Sequence, residues 1–250
     1  MTSSDNPQPI YEHLAELKKR LLRSFVFLFL AFAVCYLFAE QIYDFLVQPL
    51  ADIYGNQNGK RLIYTGLTEA FFTYMKVSFY AALFISFPVI AWQIYMFVAP
   101  GLYKNEKKVF LPFLIATPIL FVMGGALVYY FIFPLAWSFF LSFEQIGSAG
   151  SLPIQLEARV SEYLSLVIQL IFAFGIAFQL PVLLTLLAKA NIITAKGLAK
   201  MRKYAIVGIV AFAAVLTPPD VISQIGLAIP MWLLYEFSIL SCRWVTKKKE

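Results

Sequence analysis

Charge is what these 250 residues have least of: Asp, Glu, Lys and Arg together make up 14%, against roughly 25% in an ordinary soluble domain. The chain is 61% hydrophobic and 17% aromatic, with a mean hydropathy of +0.76. This balance excludes a soluble globular protein and implies a membrane protein. Histidine is nearly absent, with His13 alone, and the two cysteines, Cys35 and Cys242, each stand inside an apolar run. Such scarcity leaves nothing from which to build a metal site or a disulfide framework, so no metal, no cofactor and no disulfide is expected. There is no Gly-rich nucleotide loop, zincin signature, nucleophile elbow or pair of catalytic carboxylates either. The chain is not expected to be an enzyme.

What is present is a series of long apolar runs. A helix needs about 20 apolar residues to cross the hydrocarbon core, and runs near 22–42, 71–97, 110–133, 163–188, 204–217 and 222–242 predict six transmembrane helices in one all-α membrane domain covering 1–250. The first run is too long for a signal-peptide core and is followed by "EQIYDF", not by a small-residue cleavage site. Six spans place both termini on one side, and the cations choose the side. Lys18, Lys19, Arg20 and Arg23, then Lys104, Lys107 and Lys108, then the cluster from Lys189 to Lys203, then Arg243 and the tail lysines put 16 of 20 cations on one face. That face is expected to be cytoplasmic, with both termini there. The net charge of +6 therefore reflects topology and not a nucleic-acid patch.

The connections on the opposite face are acidic and carry pattern of their own. "EQIYDFLVQPLADIYG" has helical apolar spacing up to Pro49, and "PLAWSFFLSFEQI" after Pro134 reads as a separate aromatic-rich helix lying at the interface. Together these connections form either a cap or ordinary solvated loops. The fifth run, Tyr204–Leu216, spans only about 20 Å at 1.5 Å per residue, and "LTPPDVISQ" turns it sharply into the sixth. Either the bilayer thins there or another subunit covers this edge, or the connection is a tight hairpin whose polar residues simply cap helix ends.

Intramembrane polar groups are the default functional candidates in such a chain, and here they are few: Gln169, Gln179 and Glu236. Gln179 precedes Pro181, which is expected to kink the fourth span, and Glu236 is expected to snorkel or to pair with Arg243. At the N-terminus, Ile10, Leu14, Leu17 and Leu21 form one apolar stripe, predicting an amphipathic helix along the membrane surface that turns into span one. Glu16 lies on its other face, where it can pair with Arg20 at i+4 for about 0.2–0.5 kcal/mol. Glu106 is again a single carboxylate among lysines at the same face. Two such glutamates can serve as ordinary surface pairs, or as a receptor for a guanidinium ligand held by two parallel N–H bonds.

"HLAELKKRL", "FVAPGLYKNEKK", "AFGIAFQLPV" and "LTPPDVISQ" followed by "LAIPMWLLYE", spread over nearly the whole chain, resemble motifs of the TatC family, the multispanning subunit of the twin-arginine protein translocase. The resemblance implies a cupped bundle of six helices with short fifth and sixth spans. It implies a receptor for folded cargo proteins whose signal peptides carry adjacent arginines, with transport driven by the proton-motive force. The residues matching its signal-peptide site are Glu16, Glu106 and Phe97, with Arg20 beside them. Implied partners are the single-span subunits TatB and TatA, docking at spans five and six near Thr217 and Gln224, and further copies of this chain in a multi-copy complex. Pro49 and Asp220 match structural positions of the cap. Lys18 stands where the pattern has arginine, losing a planar fork, and Gln179 stands where many members have an intramembrane glutamate. The membrane expected is the cytoplasmic membrane of a bacterium, ahead of that of an organelle descended from one. The alternative function is a small-solute secondary transporter, against which stand the scarcity of mid-membrane charge and the lack of visible inverted repeats.

Overall fold

Nothing in Ile10–Leu37 interrupts a helix: the run has neither proline nor glycine, and the computed structural model, which describes residues 10–55, 60–98, 107–145, 152, 154–190, 192–216 and 221–247, makes it one helix, α1. The amphipathic stretch and the first apolar run are thus continuous. The expected turn between them is absent, because no residue there removes a rung of the i→i−4 ladder. At 1.5 Å per residue its 28 residues extend about 42 Å, so the Glu16 end projects well past a hydrocarbon core of about 30 Å.

Helix α2, Ala39–Tyr54, runs through Pro49 instead of stopping there. Proline removes the N–H that would have bonded the carbonyl four residues earlier, here that of Phe45. Tyr129 replaces it, its hydroxyl donating to Phe45 O at 2.7 Å, and Tyr163 donates to Leu46 O at 3.0 Å. Pro49 itself is buried. Tyr129→Phe removes this exposed bond to the Phe45 carbonyl, and the expected cost is about 0.5–1.5 kcal/mol, read as a lower thermal midpoint of the purified protein. An unchanged midpoint would show that the carbonyl has another donor. The helix ends at Gly55, whose φ of 53° favours glycine.

Three long spans follow. Helix α3 is Glu69–Val98 and α4 is Lys107–Leu127. A one-turn π segment, Val128–Ile132, leads from α4 directly into α5, Phe133–Leu141. The aromatic helix expected as a separate interfacial element is therefore the continuation of the third span. Pro134 explains the wide turn: its ring and missing N–H conflict with the carbonyl four residues back, and an i→i+5 turn relieves the conflict. The fourth span breaks as Pro181 predicts, into α6 (Val160–Ala177) and α7 (Leu180–Lys189). The short α8 (Ala195–Lys200), capped by Thr194, leads to α9 (Arg202–Leu216) and α10 (Val221–Lys247).

Among the described residues, five runs are long and apolar enough to cross a membrane: His13–Leu37, Glu69–Phe97, Pro112–Leu141, Val160–Lys189 and Gln224–Trp244. Helix α9, with 15 residues, extends about 22 Å and is too short for that standard. Helix α6 forms the centre, burying Tyr163, Leu164, Val167, Ile168, Leu170 and Phe174. It meets α4 at a point where no side chain fits. A Cβ on Gly124 would stand 2.7 Å from the Phe174 carbonyl oxygen and 3.0 Å from Gly175 Cα. Small residues of this kind let membrane helices approach to backbone contact.

At the end of the bundle that carries α2, the connections lock together. Ile63 exchanges backbone hydrogen bonds with Ala158 and Val160 at 3.1 and 2.9 Å, and Gln145 pairs with Ile154 at 2.9 and 3.0 Å. Glu69 accepts from the Thr65 and Gly66 amides and from the Ser161 hydroxyl. Glu144 forms an ion pair with Lys60 and accepts the Leu156 amide at 2.7 Å. These connections form a cap. The hydrogen bond from Lys60, then that from the Leu156 amide, lowers the Glu144 carboxyl below the usual range. A depressed carboxyl stabilises the fold above its unfolded-state pKa of about 4.3 and loses that contribution as pH falls through the folded value. Hydrogen-exchange protection of the Leu156 amide, corrected for intrinsic rate, is thus expected to be flat from pH 7 to 5 and to fall at lower pH. Glu144→Gln should remove the acid-side drop, and a drop of equal size in that variant would assign it to another group.

Candidate functional site

The end of α1 remote from the cap carries the one carboxylate that the sequence singled out there. Glu16 and Arg20 are one turn apart and form the expected ion pair: Arg20 Nε donates to Glu16 Oε1 at 2.9 Å, and Arg20 Nη2 donates to the same oxygen. Arg20 Nη1 reaches across to Gln93 Oε1 on α3 at 3.5 Å. One turn to the other side, the His13 ring stacks on Phe97, with centroids 4.3 Å apart and planes inclined by 24°. Helices α1 and α3 are thus clamped at two points around Glu16. The clamp holds the carboxylate on two rigid helices beside a recess of about 350 Å³ lined by Ala15, Glu16, Lys19, Arg20 and Arg23.

The pairing is asymmetric, and the asymmetry matters. Both Arg20 bonds fall on Oε1, while Oε2 accepts no hydrogen bond among the described residues. A carboxylate offers about four lone-pair sites, so half of its capacity remains open on a side chain that is 28% exposed. The cations around it, Lys19 and Arg23, repel a diffuse cation, so only a ligand adding directional N–H bonds or apolar contact is retained.

Of the residues expected at this site, the structure brings Glu16, Arg20 and Phe97 together and adds His13 and Gln93. The signal for the additions was slight: His13 stands in the quoted "HLAEL" stretch, and Gln93 is a lone amide in an apolar run. Glu106, immediately before α4 in sequence, lies outside the described residues, as do Thr217 and Asp220, between α9 and α10 in sequence. Gln224 donates to Val210 O at 3.3 Å, and Gln169 donates to Leu216 O at 3.3 Å, so both amides hold α9 in place. Glu236 takes a forked pair of bonds from Arg202, at 2.7 and 2.8 Å. The fork suits it because Arg202 opens α9 directly opposite, and two parallel N–H bonds form at once.

Gln179 sits apart from the Glu16 cluster, at the α6–α7 break. Its amide donates to Thr117 O at 3.0 Å and to Gly175 O at 3.3 Å, whereas its buried Oε1 has no hydrogen-bond partner among the described residues. Thr117 in turn shares a 2.9 Å hydrogen bond with Tyr95. The helix break thus frees the Gly175 carbonyl, which a neutral amide, unlike a carboxylate, can satisfy by donation.

A family model described as Sec-independent protein translocase protein (TatC) matches residues 12–230. The chain belongs to the TatC family. A TatC protein of Rickettsia prowazekii (strain Madrid E) is 51% identical to it, over 94% of this chain and 92% of its own length. That of Escherichia coli (strain K12) is 37% identical, over 98% and 92% of the two chains. A crystal structure of a twin-arginine translocase receptor, TatC, superposes with a TM-score of 0.78 at 36% identity, covering 94% of this chain and 99% of that one. This TatC chain is accordingly a multi-pass membrane protein of a protein translocase and not an enzyme. Its all-helical fold is the TatC fold. Among the described residues, no three metal-ligating side chains gather in one place.

Proposed function

We propose that this TatC chain is the signal-peptide receptor of a twin-arginine translocase, and that Glu16 reads an arginine of the incoming signal. The observation that carries this reading is the half-open carboxylate: Glu16 already holds one guanidinium through Oε1 and leaves Oε2 available beside an accessible recess. Glu106 supplies the second carboxylate, Phe97 an apolar and aromatic face against the arginine stem, and Arg20 positions Glu16 between α1 and α3. The cation distribution supports placing this face, with both termini, in the cytoplasm of a bacterium, the chain lying in its cytoplasmic membrane. On that topology α9 is the short fifth of six crossing elements.

Folded cargo proteins then move with the help of single-span TatB and TatA subunits, driven by the proton-motive force, in a complex with several copies of this chain. The short α9 and the exposed apolar side chains of α9 and α10, among them Val207, Val215 and Ile225, support docking of those helices there, with Thr217 and Gln224 near the contact. The cap, with Pro49 and Asp220, is structural in this reading.

The test is photocrosslinking in membranes from a probe placed beside the arginine pair of a signal peptide, with a twin-lysine peptide as control. Crosslinks are expected near Glu16 and Phe97 with twin-arginine and not with twin-lysine, because lysine is a point charge without the planar fork. Equal crosslinking by both peptides would remove the guanidinium-reading role.

A further inference from the structure

A second feature of the spanning region has no place in signal recognition: a lysine above an apolar cavity. Helices α2, α3, α4 and α6 enclose a space of about 340 Å³ whose lining is almost wholly hydrocarbon, including Val77, Tyr80, Phe84, Val122, Ile168 and Phe172. An apolar cavity of about 150 Å³ accommodates a benzene ring, so this one has room for roughly a dozen carbons. Its floor is sealed, Val77 being 1% exposed, whereas at the rim Ile85 is 57% and Val122 52% exposed. Both rim residues lie inside runs long and apolar enough to cross a membrane. The mouth therefore opens on bilayer and not on water.

Lys76 closes the cap end of this space. On α3, Lys76, Tyr80 and Phe84 follow one another at i, i+4 and i+8; on α6, Ser165, Ile168 and Phe172 follow at i, i+3 and i+7. Residues so spaced share a helix face. Lys76 Nζ donates to Ser165 Oγ at 2.7 Å, which places the pair one turn beyond the cavity on both walls. The ammonium has three donors, and among the described residues it enters no ion pair. Glu40 and Asp44 on α2 lie opposite the Ile42, Phe45 and Leu46 side that lines the cavity, and Glu69 and Glu162, on the same faces of α3 and α6 as Lys76 and Ser165, are paired with Arg159. Charged side chains within spanning helices are ordinarily paired. A cation with donors to spare, about 10 Å in from the start of α3 and directly above a chain-sized apolar slot, matches one class of molecule.

We infer that the cavity is a glycerophospholipid site, with one acyl chain between α3, α4 and α6 and the phosphodiester on Lys76 and Ser165. The lipid fills a space that would otherwise leave the α2–α3–α4 wall unsupported. The phosphate supplies the counter-charge that Lys76 lacks.

The test is native mass spectrometry of the full-length protein released from mild detergent. One phospholipid per copy is expected to survive delipidation, and dioleoyl phosphatidylethanolamine or phosphatidylglycerol should restore it where dioleoylglycerol, lacking the phosphate, does not. Lys76→Gln should weaken retention roughly fivefold, the effect of one lysine beside a lipid phosphate. Ala81→Phe, which fills the cavity from its wall, should abolish retention, with Ala126→Phe as a second filling variant should the first fail to fold. A phosphatidylethanolamine carrying a photoreactive acyl chain should crosslink to the Ile85–Val122 mouth. Retention unchanged in Lys76→Gln and in both filling variants, or crosslinks confined to α9 and α10, would overturn the assignment. Stoichiometric displacement of the lipid by a soluble signal peptide would overturn it too, by giving the cavity to the peptide's apolar segment.

Discussion

Glu16→Ala is expected to weaken binding of a twin-arginine signal peptide by roughly thirtyfold, about 2 kcal/mol at 1.4 kcal/mol per tenfold. The figure follows from the environment of the carboxylate. Removing one partner of a fully desolvated charge pair costs about 2–5 kcal/mol, and Glu16, at 28% exposed, stands near the lower end. The substitution also releases Arg20, which adds a repelling cation to a face already bearing Lys19 and Arg23. Arg20→Ala on its own should reduce affinity less, since it loosens Glu16 without deleting it, and the double variant separates the two contributions. Glu106→Ala should act in the same direction, and combining it with Glu16→Ala should leave no discrimination between twin-arginine and twin-lysine peptides. The measurement is a binding isotherm with labelled peptide on protein in nanodiscs at fixed ionic strength. Normal affinity in the combined variant, with the protein folded, would sink the receptor reading.

The second large effect belongs to packing. Gly124→Val should prevent accumulation of folded protein, because its side chain must enter space held by the Phe174 carbonyl and Gly175 Cα, at 2.7 and 3.0 Å from the first added carbon. Backbone atoms cannot rotate aside as a flexible side chain can. Overpacking a well-filled core ordinarily costs about 1–3 kcal/mol; here α4 and α6 must separate, so the upper end or beyond is expected. Gly175 is a softer case. A carbon added there meets the Phe121 ring at 2.6 Å, and that ring is stacked on Phe87 with centroids 3.7 Å apart. Gly175→Ala should therefore fold with a lowered melting temperature. Monodispersity on size exclusion and the thermal midpoint in detergent check both variants, and a well-folded Gly124→Val protein would show that the α4–α6 approach is looser than drawn.

Much of this protein was written in single-residue chemistry. Apolar length demanded spanning helices because hydrocarbon offers no partner to a bare peptide group. Pro181 broke the fourth span as a residue without an N–H must, and Glu16 found Arg20 because i and i+4 share a face. These outcomes depend only on neighbours in the chain, so a local reading reaches them, and motif resemblance carried the family assignment that the 12–230 match establishes.

The tertiary structure decided whatever depended on a partner distant in sequence. Pro49 failed to stop α2 because Tyr129, 84 residues away from Phe45, supplies the hydrogen bond that proline removed. Glu236 meets Arg202, 34 residues away, because α9 and α10 lie side by side. Pro134 bent its helix into a π turn instead of ending it, since continuing into α5 buries Phe133, Ala136 and Trp137. Arg20 and His13, on either side of Glu16, are held by Gln93 and Phe97 on another helix, and the slot below Lys76 exists only where four helices converge. Hydrophobic length and helical period are properties of the chain taken in order, and they named the elements; hydrogen-bond satisfaction and close packing are properties of pairs, and they exist only once those elements have met.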